Sequence, residues 1–163
     1  MILGGIILAI IANLIIGSIY YSPIILGRQW SRITLKGPET MKKDQMIHLM
    51  GGSALLSLIT AIVFSILIPQ FEVSSLRQAA LFGFVTWLGF SMPTTFLNNI
   101  YQQKTMKLSL IDTGYQLLGM ITMSIIIYFF VWPSKRLSQE NYQRLLVYIK
   151  RSKKNDATIT WWN

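Results

Sequence analysis

The chain has 163 residues, of which 52% are apolar and 13% charged, and its formal net charge is +9. Soluble domains carry about 25% charged residues, so the composition excludes an ordinary soluble globule, and the length suits one domain. No cysteine is present, which excludes disulfides, thiolate metal sites and cysteine nucleophiles. The basic residues flank long apolar segments, a pattern typical of contact with anionic lipid headgroups rather than with nucleic acid.

The first apolar segment, 2–26, is long enough to cross a hydrocarbon core of about 30 Å. We expect an uncleaved span, because no basic region precedes it and no small-residue cleavage pattern follows it. Pro23 is expected to end the helix. The next segment, 28–45, is expected to be a solvated loop anchored at the interface by Trp30. Residues at four-residue spacing form one face of the first span, where they favour close approach of another helix: Gly5, Ala9, Asn13, Gly17 and Tyr21.

The second predicted span, 46–68, is closed by Pro69. His48 at its start is expected to be an interfacial residue, with a proton relay as the alternative. No metal site is expected, because the chain offers no second His and no Cys. A second stripe of small residues runs along this span: Ser53, Ser57, Ala61 and Ser65.

The third predicted span, 79–101, follows after a short connection, so the two are expected to be antiparallel neighbours. Pro93 removes one backbone hydrogen bond and is expected to bend the helix. Asn98 and Asn99 are expected to cap the helix or to bond a neighbouring helix, with a binding role as the alternative. One side of the span is small and slightly polar: Ala79, Gly83, Thr86, Gly89 and Pro93.

The fourth predicted span, 110–132, carries Asp112, the only acidic residue inside a long apolar segment. The basic tail, 133–163, fits an amphipathic helix on a membrane surface and fits a partly disordered solubilising tail equally well. The sequence therefore predicts an all-α membrane protein, a four-helix transmembrane bundle with a polar C-terminal tail. Basic residues are almost equally numerous on the two sides. Those after the first span favour loops in the cytoplasm, whereas the basic tail favours the reverse orientation, with the tail at the anionic inner leaflet.

Three motifs occur in this order along the spans. The first is Y-S-P-x-x-x-G-x-x-W, formed by Tyr21, Ser22, Pro23, Gly27 and Trp30. The second is W-L-G-F-x-x-P from Trp87 to Pro93, followed by Asn98, and the third is L-x-x-I-D-x-G-Y-x-L from Leu108 to Leu117.

Together the motifs resemble the membrane family catalogued as domain of unknown function 1761, over about residues 2–132. The resemblance implies a small four-span protein of bacteria and fungi and supplies no activity. Family members tend to stop soon after the fourth span, so the tail departs from the pattern. Arg28 stands where the family often has lysine, which retains the charge.

Asp112 has a structural and a functional interpretation. Ser109-x-x-Asp112 matches a capping box at a helix start, and Lys104, Lys107 or Arg28 would be available as an ionic partner. An ionisable residue in a span is also a candidate for transport, proton transfer or catalysis.

Tyr115 and Gln116 share the helical face of Asp112. If that face turns inward, a polar cluster forms that serves either as a pocket or channel mouth or as hydrogen bonding that fixes the bundle. The candidate functional residues are Asp112, Tyr115, Gln116, Asn98, Tyr21 and Ser22.

Three functions are compared on these grounds. The first is a non-enzymatic membrane protein, surrounded by lipid, that associates with itself or with a membrane-protein partner and needs no cofactor. The alternative is an oligomeric transporter or channel for a small solute, an ion or protons that uses Asp112. A lipid-modifying enzyme is less favoured, because paired catalytic groups are not evident in the chain.

Overall fold

Helices account for nearly all of the structure. The computed structural model of the protein describes residues 2–34 and 43–159, and no strand occurs in them. In chain order the helices are α1 (Ile2–Tyr20), α2 (Gly27–Thr34), α3 (Lys43–Gln70), α4 (Leu76–Thr86), α5 (Met92–Tyr101) and α6 (Met106–Ile159), with a π-helical turn at Trp87–Ser91 between α4 and α5. Four segments are long and apolar enough to cross a membrane, which confirms the predicted four-helix bundle: Ile2–Tyr20, Asp44–Gln70, Leu76–Tyr101 and Met106–Val131.

The first span is shorter than predicted, because α1 ends at Tyr20 rather than at residue 26. Turns follow, and the Gly27 amide closes them by donating to the Ser22 carbonyl at 2.9 Å. A Cβ atom at Gly27 would collide with the Tyr21 and Ser22 carbonyls, so this close approach needs glycine. The predicted loop after it begins instead as the helix α2, and residues 35–42 lie outside the described residues.

The other three spans begin earlier than predicted, at Asp44, Leu76 and Met106. Each early start adds polar or charged side chains, which hydropathy assigns to loops but which the membrane interface accepts at a helix end. The second span continues through Pro69 to Gln70. The predicted boundaries are therefore wrong by a few residues, whereas the order of the elements is right.

The chain divides into two compact units, Met1–Val131 and Trp132–Asn163. The first contains the four spans. In the second, the backbone of α6 stays helical through Ile159, and the side chains of residues 143–149 are exposed. A helical tail is compatible with the amphipathic interpretation, and contact of the tail with a membrane surface stays a prediction.

The predicted small-residue faces lie between helices over much of the bundle. Gly5 of α1 packs against Phe130 of α6, and a Cβ atom at Gly5 would lie 2.7 Å from the Phe130 side chain. Gly83 of α4 is equally close to α6. Gly89 and Pro93 are exceptions, because both are exposed and no atom lies within 4 Å of the Cβ position of Gly89. The small faces therefore bring the helices of one chain together, except at the π turn and directly after it.

The end of the bundle that carries the 71–75 connection is densely packed, and we call it the closed half. Phe64 is 1% exposed and packs edge-to-face on Phe82, with ring centroids 5.3 Å apart. Polar side chains there bond backbone carbonyls: the Ser124 hydroxyl donates to Ala79 at 2.8 Å and the Tyr128 hydroxyl to Ser74 at 3.1 Å. Such bonds satisfy polar atoms that lipid could not.

The opposite end, which carries α2 and the 102–105 connection, is the open half. The first residues of α3 are exposed there, from Asp44 through Gly52. No atom lies within 4 Å of the Cβ positions of Gly51 and Gly52. The four spans therefore pack densely at one end and leave space at the other.

The third span is interrupted at its middle by the π turn. The Met92 amide donates to the Trp87 carbonyl five residues back, and Pro93 supplies no amide for the next bond. A proline ring also crowds the carbonyl four residues before it, and widening the turn relieves that crowding. The bend predicted at Pro93 thus takes the form of a π turn, a feature frequent at functional sites.

Candidate functional site

Asp112 lies inside the fourth span rather than at its cap. The helix α6 begins at Met106, which places Asp112 about 9 Å along the axis from its start. The buried Ser109 hydroxyl accepts a hydrogen bond from the Asn99 amide at 3.0 Å, and the Ser109 backbone amide donates to the Thr105 carbonyl. The predicted capping box is therefore wrong, because the helix starts one turn before Ser109.

The Asp112 carboxylate accepts a hydrogen bond from the Tyr21 hydroxyl at 3.1 Å. The Trp30 indole and the positive charge of Lys104 also act on the carboxylate. Burial, and then the negative charge of Asp112, raise the pKa of Tyr21. The phenol therefore stays protonated at neutral pH and remains a donor.

Four rings surround this carboxylate and form what we call the aromatic layer: Tyr20, Tyr21, Trp30 and Tyr115. The Tyr21 ring contacts Trp30 at 5.8 Å and Tyr115 at 5.5 Å between centroids. Gly114 makes room for the Tyr20 ring of this layer, since a Cβ atom at Gly114 would lie 2.5 Å from the Tyr20 hydroxyl. The layer fixes Asp112 against α1 and α2.

A cavity of about 280 Å³, lined by both polar and apolar side chains, lies one helical turn further into the bundle and is partly open. Its lining comes from all four spans, near the middle of each. The lining residues are Asn13, Ser53, Leu56, Ser57, Thr60, Ser91, Tyr115, Gln116, Gly119, Met120 and Met123. Tyr115 belongs to both the aromatic layer and the cavity, and so connects them.

The Gln116 side chain is held in place beside the π turn. The Ser91 hydroxyl donates to Gln116 Oε1 at 2.5 Å and the Thr95 hydroxyl donates to the same oxygen at 3.0 Å. The Trp87 indole donates to the Thr113 carbonyl at 2.8 Å, one turn away on α6. The interrupted helix is thus bonded to α6 on the wall of the cavity.

On the opposite wall of the cavity, Asn13 contacts both α3 and α6. Its amide donates to the Ser57 hydroxyl at 2.7 Å, and its oxygen lies directly against Gly119 of α6. The Ser57 hydroxyl donates in turn to the Ser53 carbonyl at 2.8 Å. These contacts connect α1, α3 and α6 at mid-span.

The structure brings together four of the six predicted site residues. Tyr21 and Asp112 are bonded in the aromatic layer, Gln116 lines the cavity, and Tyr115 takes part in both. Asn98 is exposed, and Ser22 contributes its carbonyl to the turn before α2 rather than a side chain to the cavity. His48 is exposed at the start of α3.

Other residues of the site were not predicted: Asn13 and Ser57 as a bonded pair, Ser91, Thr95 and Trp87. The expectation that Asn99 bonds a neighbouring helix is confirmed by its bond to Ser109, although Asn98 and not Asn99 is among the candidate functional residues. One signal was available, because residues 91, 95 and 99 are polar at four-residue spacing and so share a helical face. That spacing favours Asn99 over Asn98. Within the part of the chain that the structure describes, no three His, Asp or Glu side chains are grouped to hold a metal ion.

Four helices of the described residues are long and apolar enough to cross a membrane, and they enclose the mid-span cavity. By the length and composition of these helices, the chain is a small multi-pass membrane protein. The family model described as "Protein of unknown function (DUF1761)" matches residues 5–128. The chain belongs to this family, and the match covers almost all of the four spans but not the tail. No curated protein and no solved structure matches the chain.

Proposed function

We propose that this protein is a small, non-enzymatic membrane transporter that binds a small polar solute in the mid-span cavity. The observation that carries the proposal is the coincidence of the cavity with the π turn at Trp87–Ser91. Irregular backbone at membrane depth is tolerated where it lines a cavity, and transporters bind substrates near the bilayer midplane beside interrupted helices.

The chemistry of the lining supports the same function. Hydroxyl and amide groups in the middle of apolar spans are disfavoured in lipid, and they are retained where they bond one another or a ligand. Here they surround space instead of filling it, in contrast to Ser124, which is fully buried in the closed half. Hydroxyl and amide groups that border a cavity suit a ligand with a polar part.

The alternative function, association of the protein with copies of itself, was based on the small-residue faces of the first two spans. The stripes that motivated it are occupied within one chain, since Gly5 packs against Phe130 and Ser57 bonds Asn13. Association of copies through other surfaces stays a prediction.

The test is solute flux in reconstituted vesicles. Purified full-length protein should accelerate the movement of at least one of glycerol, acetamide, potassium and chloride relative to protein-free vesicles. Ser53→Leu places an apolar side chain in the cavity and should remove that acceleration. Ser65→Leu is the matched control, because Ser65 is on the same helix and does not line the cavity. A protein that moves none of the four, or is unaffected by Ser53→Leu, would contradict the proposal.

A further inference from the structure

The cavity has the lining expected for an uncharged ligand. Among the residues that the structure describes, none that lines it carries a formal charge, although hydroxyls and amides are abundant. Asp112 lies outside the lining and is already bonded by the Tyr21 hydroxyl. An ion taken from water into such a site would lose its hydration without gaining an opposite charge, which is strongly unfavourable. A neutral solute only exchanges its hydrogen bonds with water for hydrogen bonds with the cavity lining.

We infer that the cavity selects small uncharged solutes of the polyol or amide class, and that Gln116 is a specificity-determining residue. The inference rests on the proposed function and narrows its ligand.

Gln116 presents donors to the ligand because its acceptor is already used. Ser91 and Thr95 both donate to Oε1, at 2.5 and 3.0 Å. The two N–H groups of the amide share the planar side chain with that oxygen and remain for a ligand in the cavity that Gln116 lines. They recognise a carbonyl or hydroxyl oxygen. Across the cavity, the Thr60 hydroxyl donates to its own helix and keeps its lone pairs for a ligand. The Ser57 hydroxyl donates to Ser53 and accepts from Asn13, which leaves one lone pair for a ligand.

The size of the cavity and its apolar edge limit the ligand further. A volume of about 280 Å³ corresponds to roughly nine water molecules at about 30 Å³ each, so solutes with a few heavy atoms fit. Leu56, Met120 and Met123 supply an apolar edge for a short carbon skeleton. Methionine adapts to ligands of differing shape. Glycerol and acetamide are probes of this size and chemistry.

The experiment compares neutral and charged probes in vesicles of one phospholipid composition that contain the full chain. Swelling in glycerol or acetamide is followed by stopped-flow light scattering, and potassium and chloride movement by ion-sensitive dyes. We expect protein-dependent flux of the two neutral solutes and none of the ions. Acetamide should also compete with glycerol in the wild-type protein, a readout that needs no variant.

Gln116→Glu tests the specificity role. The substitution retains the shape and an acceptor for Ser91 and Thr95 but replaces the donors that face the cavity with a second acceptor. Loss of one such hydrogen bond should lower the protein-dependent glycerol rate about threefold to tenfold at low concentration. Gln102→Glu is the control, because Gln102 is exposed in the connection before α6.

The outcomes separate the two proposals. Ion flux without flux of neutral solutes would overturn this inference and leave the transporter proposal standing. Absence of flux for every probe would overturn both. A folded Gln116→Glu protein with wild-type glycerol flux, or glycerol and acetamide rates that do not compete, would overturn the selection by Gln116.

Discussion

The closed and open halves of the bundle use the same kinds of side chain in different ways. In the closed half, serine and tyrosine hydroxyls bond backbone carbonyls, and Phe64 and Ile68 are almost fully buried between the helices. In the open half, polar side chains bond one another across helices, as in the pair Asn13 and Ser57. The difference indicates that one half holds the spans together while the other positions groups around a space.

Hydrogen bonding explains how the open half remains ordered despite its cavity. Among the described residues, no buried side-chain nitrogen or oxygen lacks a partner. Each interhelical hydrogen bond in a membrane contributes only about 0.6 kcal/mol on average. The bonds of the open half therefore fix the positions of its polar side chains more than they stabilise the fold. We therefore expect substitutions in the closed half to affect folding and those in the open half to affect solute handling.

The largest effect is expected from Gly83→Val in the closed half. A Cβ atom at Gly83 would lie 2.6 Å from Ser124 Oγ, 2.7 Å from the Met120 carbonyl oxygen and 2.8 Å from Ile121 Cα. Two of these are backbone atoms that cannot rotate away, so α4 and α6 must separate, with a loss of about 3 kcal/mol or more in unfolding free energy. Equilibrium unfolding in mixed SDS micelles measures the loss.

Gly51→Val is the matched control for that experiment. No atom lies within 4 Å of its Cβ position, so the unfolding free energy should change by less than about 0.5 kcal/mol. Equal losses for the two variants would show that the halves do not differ in packing.

An intermediate effect is expected when single cysteines are introduced, which is simple here because the chain has none. Ser53→Cys places a thiol in the cavity, and Ser124→Cys places one at a fully buried position. Maleimide reacts with the hydrated thiolate, so a membrane-impermeant maleimide should label Ser53→Cys at least about tenfold faster.

The third comparison is Ser65→Cys, on the same helix as Ser53 but away from the cavity. It should react slowly, like Ser124→Cys. Equally slow labelling of Ser53→Cys would contradict an open, hydrated cavity.

The smallest effect is expected from the bond between Tyr21 and Asp112, at 3.1 Å. A double-mutant cycle with Tyr21→Phe and Asp112→Asn should give a coupling of about 1 kcal/mol in unfolding free energy. Tyr101→Phe is the control, because Tyr101 is 80% exposed.

The pH dependence of that coupling follows from the raised pKa of Tyr21. A group whose pKa is higher in the folded state contributes its stability below the unfolded value, about 10 for tyrosine, and loses it as the pH rises through the folded value. The coupling should therefore be constant between about pH 7 and 9. A decline within that window, or a coupling near zero, would mean that this bond does not hold the aromatic layer.

Hydrophobic length was sufficient to predict the four spans, because each apolar run has the length that a bilayer demands. Four-residue spacing predicted which faces pack, as Gly5, Ala9 and Ser57 illustrate with their burial. Helix boundaries were less predictable, since Arg77 and Lys107 sit at interfacial ends where charge is tolerated. Pro93 marked the interruption, but a sequence alone does not distinguish a kink from a π turn.

The site was only partly predictable, because a polar side chain within a span does not reveal its partner. Asp112 and Gln116 share one face of α6, so the sequence predicts that both lie near a neighbouring helix. The sequence does not predict that the Asp112 carboxylate bonds Tyr21 while the Gln116 amide bonds Ser91 and Thr95 one turn deeper. Asn98 and Asn99 are both polar at the end of the third span, and only the register with residues 91 and 95 distinguishes the buried Asn99 from the exposed Asn98.

The π turn also determines how the chain tolerates changes in length. Such a turn holds one more residue than the regular helix around it, so it absorbs that residue and leaves the register on either side unchanged. Deleting Gly89 from the turn would therefore restore regular winding and keep Thr95 against Gln116 and Asn99 against Ser109. Deleting one residue from the regular helix between Thr95 and Asn99 would instead rotate Asn99 by about 100° relative to α4, away from Ser109.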